Sequence, residues 1–209
     1  MIRAARLATL LATAGLATTC LGLAAALPAR AEAPVVRIRG TIASVEGSAV
    51  TIKPRVGEAV TVRLGDAVRV AGASAAKITD IQPDSYVGTA ATPQPDGTLK
   101  ALEVAVFAPS MRGSGDGHYP WDLEKENTMT NGAVGAVTGT ANRTITVTYA
   151  GGQKTITVPD DVPVVALAPA DASLIKPGAR VVAFTRADAS GTAVVDRMVV
   201  GQNGTVPPM

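Results

Sequence analysis

Short runs of alternating β-branched residues, each closed by a turn signal, set the limits on what this chain can fold into. At 49–53 (AVTIK) and 59–64 (AVTVRL), Val and Ile take every second position, and PRVGE at 54–58 breaks the run between them. Side chains alternate across a strand with period two, so Val50 and Ile52 face the same side as Val60, Val62 and Leu64. Val, Ile and Thr lose rotamer freedom against a helical turn and pack well on a pleated surface, so the pair reads as a half-buried hairpin. A strand precedes it, with Val36, Ile38, Ile42 and Val45 apolar, Arg37, Arg39 and Ser44 between them, and Gly40 as a bend or bulge. Gly65 and Asp66 read as a turn into a short strand at 68–70. The segment 71–81 is ambiguous, since Ala75, Ala76, Ile78 and Ile81 suit one face of a short helix that Pro83 would end. Strands at 85–90 and 99–107 close the unit, joined by PQPDGT, where Asp96 and Gly97 have the chemistry of a tight hairpin.

The same order then recurs. GAVGAV at 132–137 answers GTIASV at 40–45, TITVT at 144–148 answers VTIK, and TITV at 155–158 follows a Gly151-Gly152 turn as VTV does. Ile81 and Pro83 match Ile175 and Pro177, Val87 matches Val181, and Gly97-Thr98 matches Gly191-Thr192. Val104 and Val106 match Met198 and Val200. These last matches share one offset, 94 residues, which generic β composition does not produce. The expected fold is all-β: two tandem, similar, small barrels of OB-like type at 32–107 and 132–201, joined by a loop at 108–131 and followed by a flexible tail at 202–209. A single larger β-sandwich is the alternative.

Arg3 and Arg6, the uncharged run 7–27 and LPARA at 27–31 form a secretory signal peptide with cleavage expected after Ala31. The run is also about long enough to span a bilayer as a retained anchor, and Cys20 raises a lipoprotein reading, although Ala17, Thr18 and Thr19 fit that signal poorly. Cleavage after Ala31 leaves 178 residues, no Cys and no thiol chemistry. It also alters the charge: 19 Lys+Arg less Arg3, Arg6 and Arg30 is 16, against 17 Asp+Glu. A chain near neutrality with interspersed signs has no general attraction to nucleic acid or an anionic surface. The expected location is the periplasm or the exterior, without stable membrane insertion.

The joining segment, APSMRGSGDGHYPWDLEKENTMTN, matches nothing else in the chain. It holds the only His (His118), the only Trp (Trp121) and two of the five Met. Gly113, Gly115 and Gly117 make a backbone able to reach positive φ or approach another surface closely. His118, Tyr119 and Trp121 read either as a plug in the seam between the β units, with Pro120 fixing the approach of Trp121, or as an exposed recognition loop. With Asp122 they are the candidate interaction or seam residues; 122–127 (DLEKEN) reads as a solvated turn. The motif MRGSGDGHYPWDL, with MTNGAV after it and the terminal TVPPM, resembles a family of small exported alphaproteobacterial proteins with domains similar to the DUF5666 group. That resemblance implies a small β-barrel fold and brings no catalytic residues. Members of the family read RGTGEGHRPWDL, so Ser114, Asp116 and Tyr119 are departures, and Tyr119 replaces a basic residue. The label "metal ABC transporter permease" carried by some relatives has no support here, because no second apolar run approaches spanning length.

Catalytic templates fit poorly. One His and no mature Cys exclude a His/Cys zinc site, a CxxCH haem site and a Cys-His pair within one chain. Ser110, Ser114 and Asp116 neighbour His118 without a G-x-S-x-G elbow, and GSGDG lacks the G-K-[ST] ending of a phosphate loop. Asp160 and Asp161, like Glu124 and Glu126, are ordinary turn and surface acids. The expectation is an exported, non-enzymatic binding or structural protein of the envelope, with a protein or glycan partner and no cofactor or metal. The alternatives are a copper-handling accessory protein using His118 with Met111 or Met129, whose imidazole and thioether favour copper over zinc, and a hydrolase.

Overall fold

The computed structural model describes residues 33–139 and 143–208; the expected signal peptide at 1–31 lies outside them. Twelve strands follow in order: β1 (Val36–Glu46), β2 (Ala49–Pro54), β3 (Val60–Ala75), β4 (Tyr86–Pro93), β5 (Leu99–Phe107), β6 (Gly117–Pro120), β7 (Thr128–Thr138), β8 (Arg143–Tyr149), β9 (Gly152–Val158), β10 (Val164–Ala170), β11 (Arg180–Ala187) and β12 (Ala193–Gly201). Single 3-10 turns at Ile78–Asp80, Pro109–Met111 and Ala172–Leu174 are the only helical elements among the described residues, and no helix there is long and apolar enough to cross a membrane. The fold is an all-β barrel fold, and the described residues form one compact unit.

The strands of each half do not close on one another. β1, β2 and β3 pair in sequence, and the ring is then completed by β12, parallel to β3, and β11, antiparallel to β1. The reciprocal ring joins β4 and β5 to β7, β8 and β9. The expectation that 32–107 and 132–201 are self-contained barrels is therefore corrected: each half contributes three strands to one ring and two to the other. Interiors follow the alternation. Ile42, Val50, Ile52, Val62, Val181, Val195, Met198 and Val200 fill the first ring. Val87, Leu99, Val104, Val134, Ile145, Val147, Ile156 and Val158 fill the second. Val60 departs from the pattern at 39% exposure, because it opens β3 at the mouth of its ring beside the exposed Val56.

The 94-residue offset is visible in the backbone. β4 and β11 begin at 86 and 180, β5 and β12 at 99 and 193, and the two 3-10 turns at 78 and 172. Asp84 and Gly178 both have positive φ, as do Gly97 and Gly191. Gly40 and Gly132, which open the matching GTIASV and GAVGAV runs, make the same close approach. A Cβ at Gly40 would lie 2.2 Å from the carbonyl oxygen of Lys53, and one at Gly132 2.3 Å from that of Thr148.

Two local expectations are also corrected, and one ambiguity is resolved. Gly65 and Asp66 do not turn the chain. β3 runs through them, and the irregularity falls in its pairing with β12, where Leu64 and Arg69 face Val195 and Arg197. The ambiguous 71–81 is strand to Ala75, held by β10 and β12, then a single 3-10 turn. The terminal residues are not a free tail: Pro207 and Pro208 are buried, the Thr205 N–H donates to the Gln202 carbonyl, and Arg55 reaches the Pro207 carbonyl at 3.5 Å.

Candidate functional site

Between the rings lies a third apolar cluster, made from the outer faces of their strands. Ala71 and Ala73 of β3, Ala90 of β4, Ala105 of β5, Val165 and Leu167 of β10, Val182 and Phe184 of β11 and Val199 of β12 meet there. Four of these nine side chains are alanines, too short to close the space between the rings. The gap they leave is filled by the central segment, which supplies Trp121 and Met129, with Met111, Tyr119 and Leu123 packed against them. The segment is thus more than a loop: Gly117–Pro120 pairs with Asn131–Thr128 on β7, the same residues that pair with β4 on the other side.

Alternation along β6 decides where each side chain goes. Tyr119 sits opposite Met129, and both turn into the seam. Trp121, 8% exposed, is anchored by its backbone N–H, which donates to the Asn127 carbonyl at 2.7 Å. The Arg37 guanidinium lies 3.7 Å above the Trp121 ring, a cation–π geometry. The indole Nε1 has no hydrogen-bond partner, so this tryptophan is held by packing and by Arg37. His118 points the opposite way. Its Nδ1 is 2.9 Å from the buried Thr130 hydroxyl, and its ring stacks against Tyr149 at 6.1 Å. Burial, and secondarily the Lys154 charge, hold the imidazole below its ordinary pKa.

Polar contacts tie the segment to both rings. Asp122 reaches Arg39 at 2.7 Å and Arg37 at 3.5 Å on β1. Burial pushes the Asp122 carboxyl up, but the hydrogen bond from Arg39 and the charges of Arg39 and Arg37 outweigh it and hold the group below its usual value. DLEKEN is a turn, but not a wholly solvated one, since Asn127 is buried. Arg112 donates to the Asp84 carboxylate at 2.6 Å and to its carbonyl at 2.9 Å. Asp116 accepts from the Ala150 N–H at 2.8 Å and from the Tyr86 hydroxyl at 3.1 Å. Burial, then Asp116, push the Tyr86 phenol up. Gly113, Gly115 and Gly117 all have positive φ, and the Asn131 amide donates to the carbonyls of Ser114 and Gly115 that this path presents.

This geometry separates groups that the sequence puts close together. Met111 and Met129 belong to the seam with Tyr119 and Trp121, on the face of β6 away from His118, so the His-Met set is not assembled. Nor is a Ser-His-Asp set: Asp116 serves Ala150 and Tyr86, and His118 serves Thr130. Among the described residues no three His, Cys, Asp or Glu side chains gather as metal ligands would.

A feature that the sequence reading missed runs across the outer face of the first ring. Arg37, Phe184, Arg197 and Arg69 are register partners on four adjacent strands, β1, β11, β12 and β3. Arg197 lies 3.9 Å over the Phe184 ring. The signal was a basic residue between apolar ones, as in RIR, VRV and DRMVV. Its meaning depends on strand partners from the far half of the chain. Comparison with family models, with curated proteins and with solved structures finds no match.

Proposed function

We propose that the protein is an exported, non-catalytic binding protein of the cell envelope, built from two small barrels of the kind its motif resembles. The observation that carries this reading is the use made of the central segment. Tyr119 and Trp121 are committed to the seam, and Asp122 and Asp116 to Arg37, Arg39, Tyr86 and Ala150, so the segment locks two rings into one rigid support. A rigid support with an arginine-bearing outer face suits holding a partner, protein or glycan, rather than turning over a substrate. Loop sites that catalyse need acid, base and nucleophile within hydrogen-bond reach of one another, and here those groups point apart.

The test combines location with turnover. Material from the native envelope is expected in the soluble fraction with an intact mass that begins at Glu32. It should hydrolyse chromogenic esters, glycosides and phosphates no faster than His118→Ala does. Turnover lost in His118→Ala would replace the binding reading with a hydrolase. Tight copper binding lost in the same variant would replace it with metal handling.

A further inference from the structure

Four arginines of the first ring have carboxylates: Arg37 and Arg39 share Asp122, Arg63 faces Asp188 and Arg186 faces Asp196. Arg197 and Arg69 have no ion-pair partner among the described residues, although they are neighbours in the β3–β12 pairing. Both line a groove of about 560 Å³ between β3, the end of β10 and the turn at Pro109–Met111. Its other walls are hydroxylic (Ser110, Ser114) and apolar (Val68, Met111, Pro169 among them), with no acidic residue. The volume falls in the range of sites for small organic ligands, about 300–1,000 Å³.

We propose that this groove binds an organic anion: a carboxylate or phosphate head on Arg69 and Arg197, and an apolar body along Met111 and Pro169. The inference rests on the binding reading above and names the ligand class. A half-buried guanidinium is costly without a counter-charge, and its planar fork suits two oxygens of one oxyanion. Stacking on Phe184 holds the Arg197 fork in place before any ligand arrives, which lowers the ordering cost of binding. Burial already works against the charge of Arg197, with Arg69, Arg37 and Arg186 adding repulsion, so a bound anion relieves both. Arg197, Met111 and Ala71 also line the small seam pocket that contains Trp121, which makes the single tryptophan a reporter.

The experiment titrates the mature full-length protein with octyl phosphate and with octanoate, both below micelle formation, by calorimetry and Trp121 fluorescence. Inorganic phosphate is the head-only control and 1-octanol the tail-only control. At least one amphiphilic anion is expected to bind at least about tenfold more tightly than either control, with an affinity that falls as salt rises. Arg69→Gln, on an exposed side chain that leaves the fold intact, should weaken it about tenfold, and Arg197→Gln at least as much. Equal binding of 1-octanol, equal binding of inorganic phosphate, unchanged affinity in Arg69→Gln, or no binding of either amphiphile up to about 1 mM would each overturn the proposal. None of these would touch the non-catalytic reading. Conversely, phosphate released from octyl phosphate by wild type and not by Arg69→Gln would support the anion site and sink that reading.

Discussion

Replacing Trp121 with Ala tests whether the central segment holds the two rings together. Trp121 is 8% exposed, packed among Ala, Val, Leu and Phe side chains from both rings. Large-to-small substitution at such a site costs about 3–5 kcal/mol, from lost transfer energy and the remaining cavity. Two local corrections oppose each other. Loss of the Arg37 stack at 3.7 Å adds about 0.5–2 kcal/mol, while removal of a buried indole N–H that has no partner returns about 1–3 kcal/mol. They roughly cancel, so the expected loss stays near 3–5 kcal/mol. For one compact unit of this size each kcal/mol moves the midpoint by about 2–4 °C, which puts the fall in Tm at roughly 6–20 °C. The assay is equilibrium unfolding in denaturant, followed by far-UV circular dichroism because the variant has no tryptophan. Trp121→Phe sharpens it. That change keeps an aromatic ring under Arg37 and removes the unpartnered N–H, so it should cost less than half as much as Ala. A loss below about 1 kcal/mol in Trp121→Ala, the scale of surface substitutions, would refute the seam argument and make the segment an ornament on rings that dock without it.

Gly132→Ala should destabilise by about 1–3 kcal/mol, since the added Cβ meets the Thr148 carbonyl on the neighbouring strand and one backbone must move. Gly135→Ala, three residues on with 3.7 Å to its nearest neighbour, should stay within about 0.5 kcal/mol in the same melt, and equal effects would refute the close-approach reading. Acidification should weaken the fold through His118. Burial holds its folded pKa below the ordinary 6.5, so stability is full above that value and declines as pH falls beneath it, where the unfolded chain takes the proton first. His118→Gln should flatten the Tm profile between about pH 6.5 and 5, above the carboxylate range; an unchanged slope would exclude His118 as the titrating group.

What could be read from the residues, and what could not, divides along the range of the interactions. Period-two alternation is local, so the hairpin at 49–64 was legible with Val50, Ile52 and Val62 inward, as was the repeat that places β4 and β11, or β5 and β12, 94 residues apart. The strand at 99–107 was legible only as a strand: alternation through Val104 and Val106 points Leu102 inward, but a bulge in the pairing with β4 skips Leu102, and the core takes Leu99 and Ala101 with Val104. A turn was expected at Gly65-Asp66 because those residues favour turns locally. It was overridden by a partner strand 130 positions away: β3 stays paired to β12 on both sides of a bulge in which Gly65 to Val68 stand against the single Asp196. The same limit explains the exchange of strands. Two similar repeats have edges with similar chemistry, and Val36–Thr41 can pair with Arg180–Thr185 or with the matching strand of its own half by the same alternation. Alternation fixes which side faces inward and leaves open which copy supplies the partner. The difference lies in β3 and β10, which pair with each other across the seam while β10 also runs beside β5. A long β3 that passes through Gly65 carries the chain from one ring to the seam, where a turn would have kept it in its own half. Trp121 then has a gap to fill because Ala71, Ala73, Ala90 and Ala105 line it, small residues that look unremarkable in four separate runs and acquire their meaning only when both rings face each other.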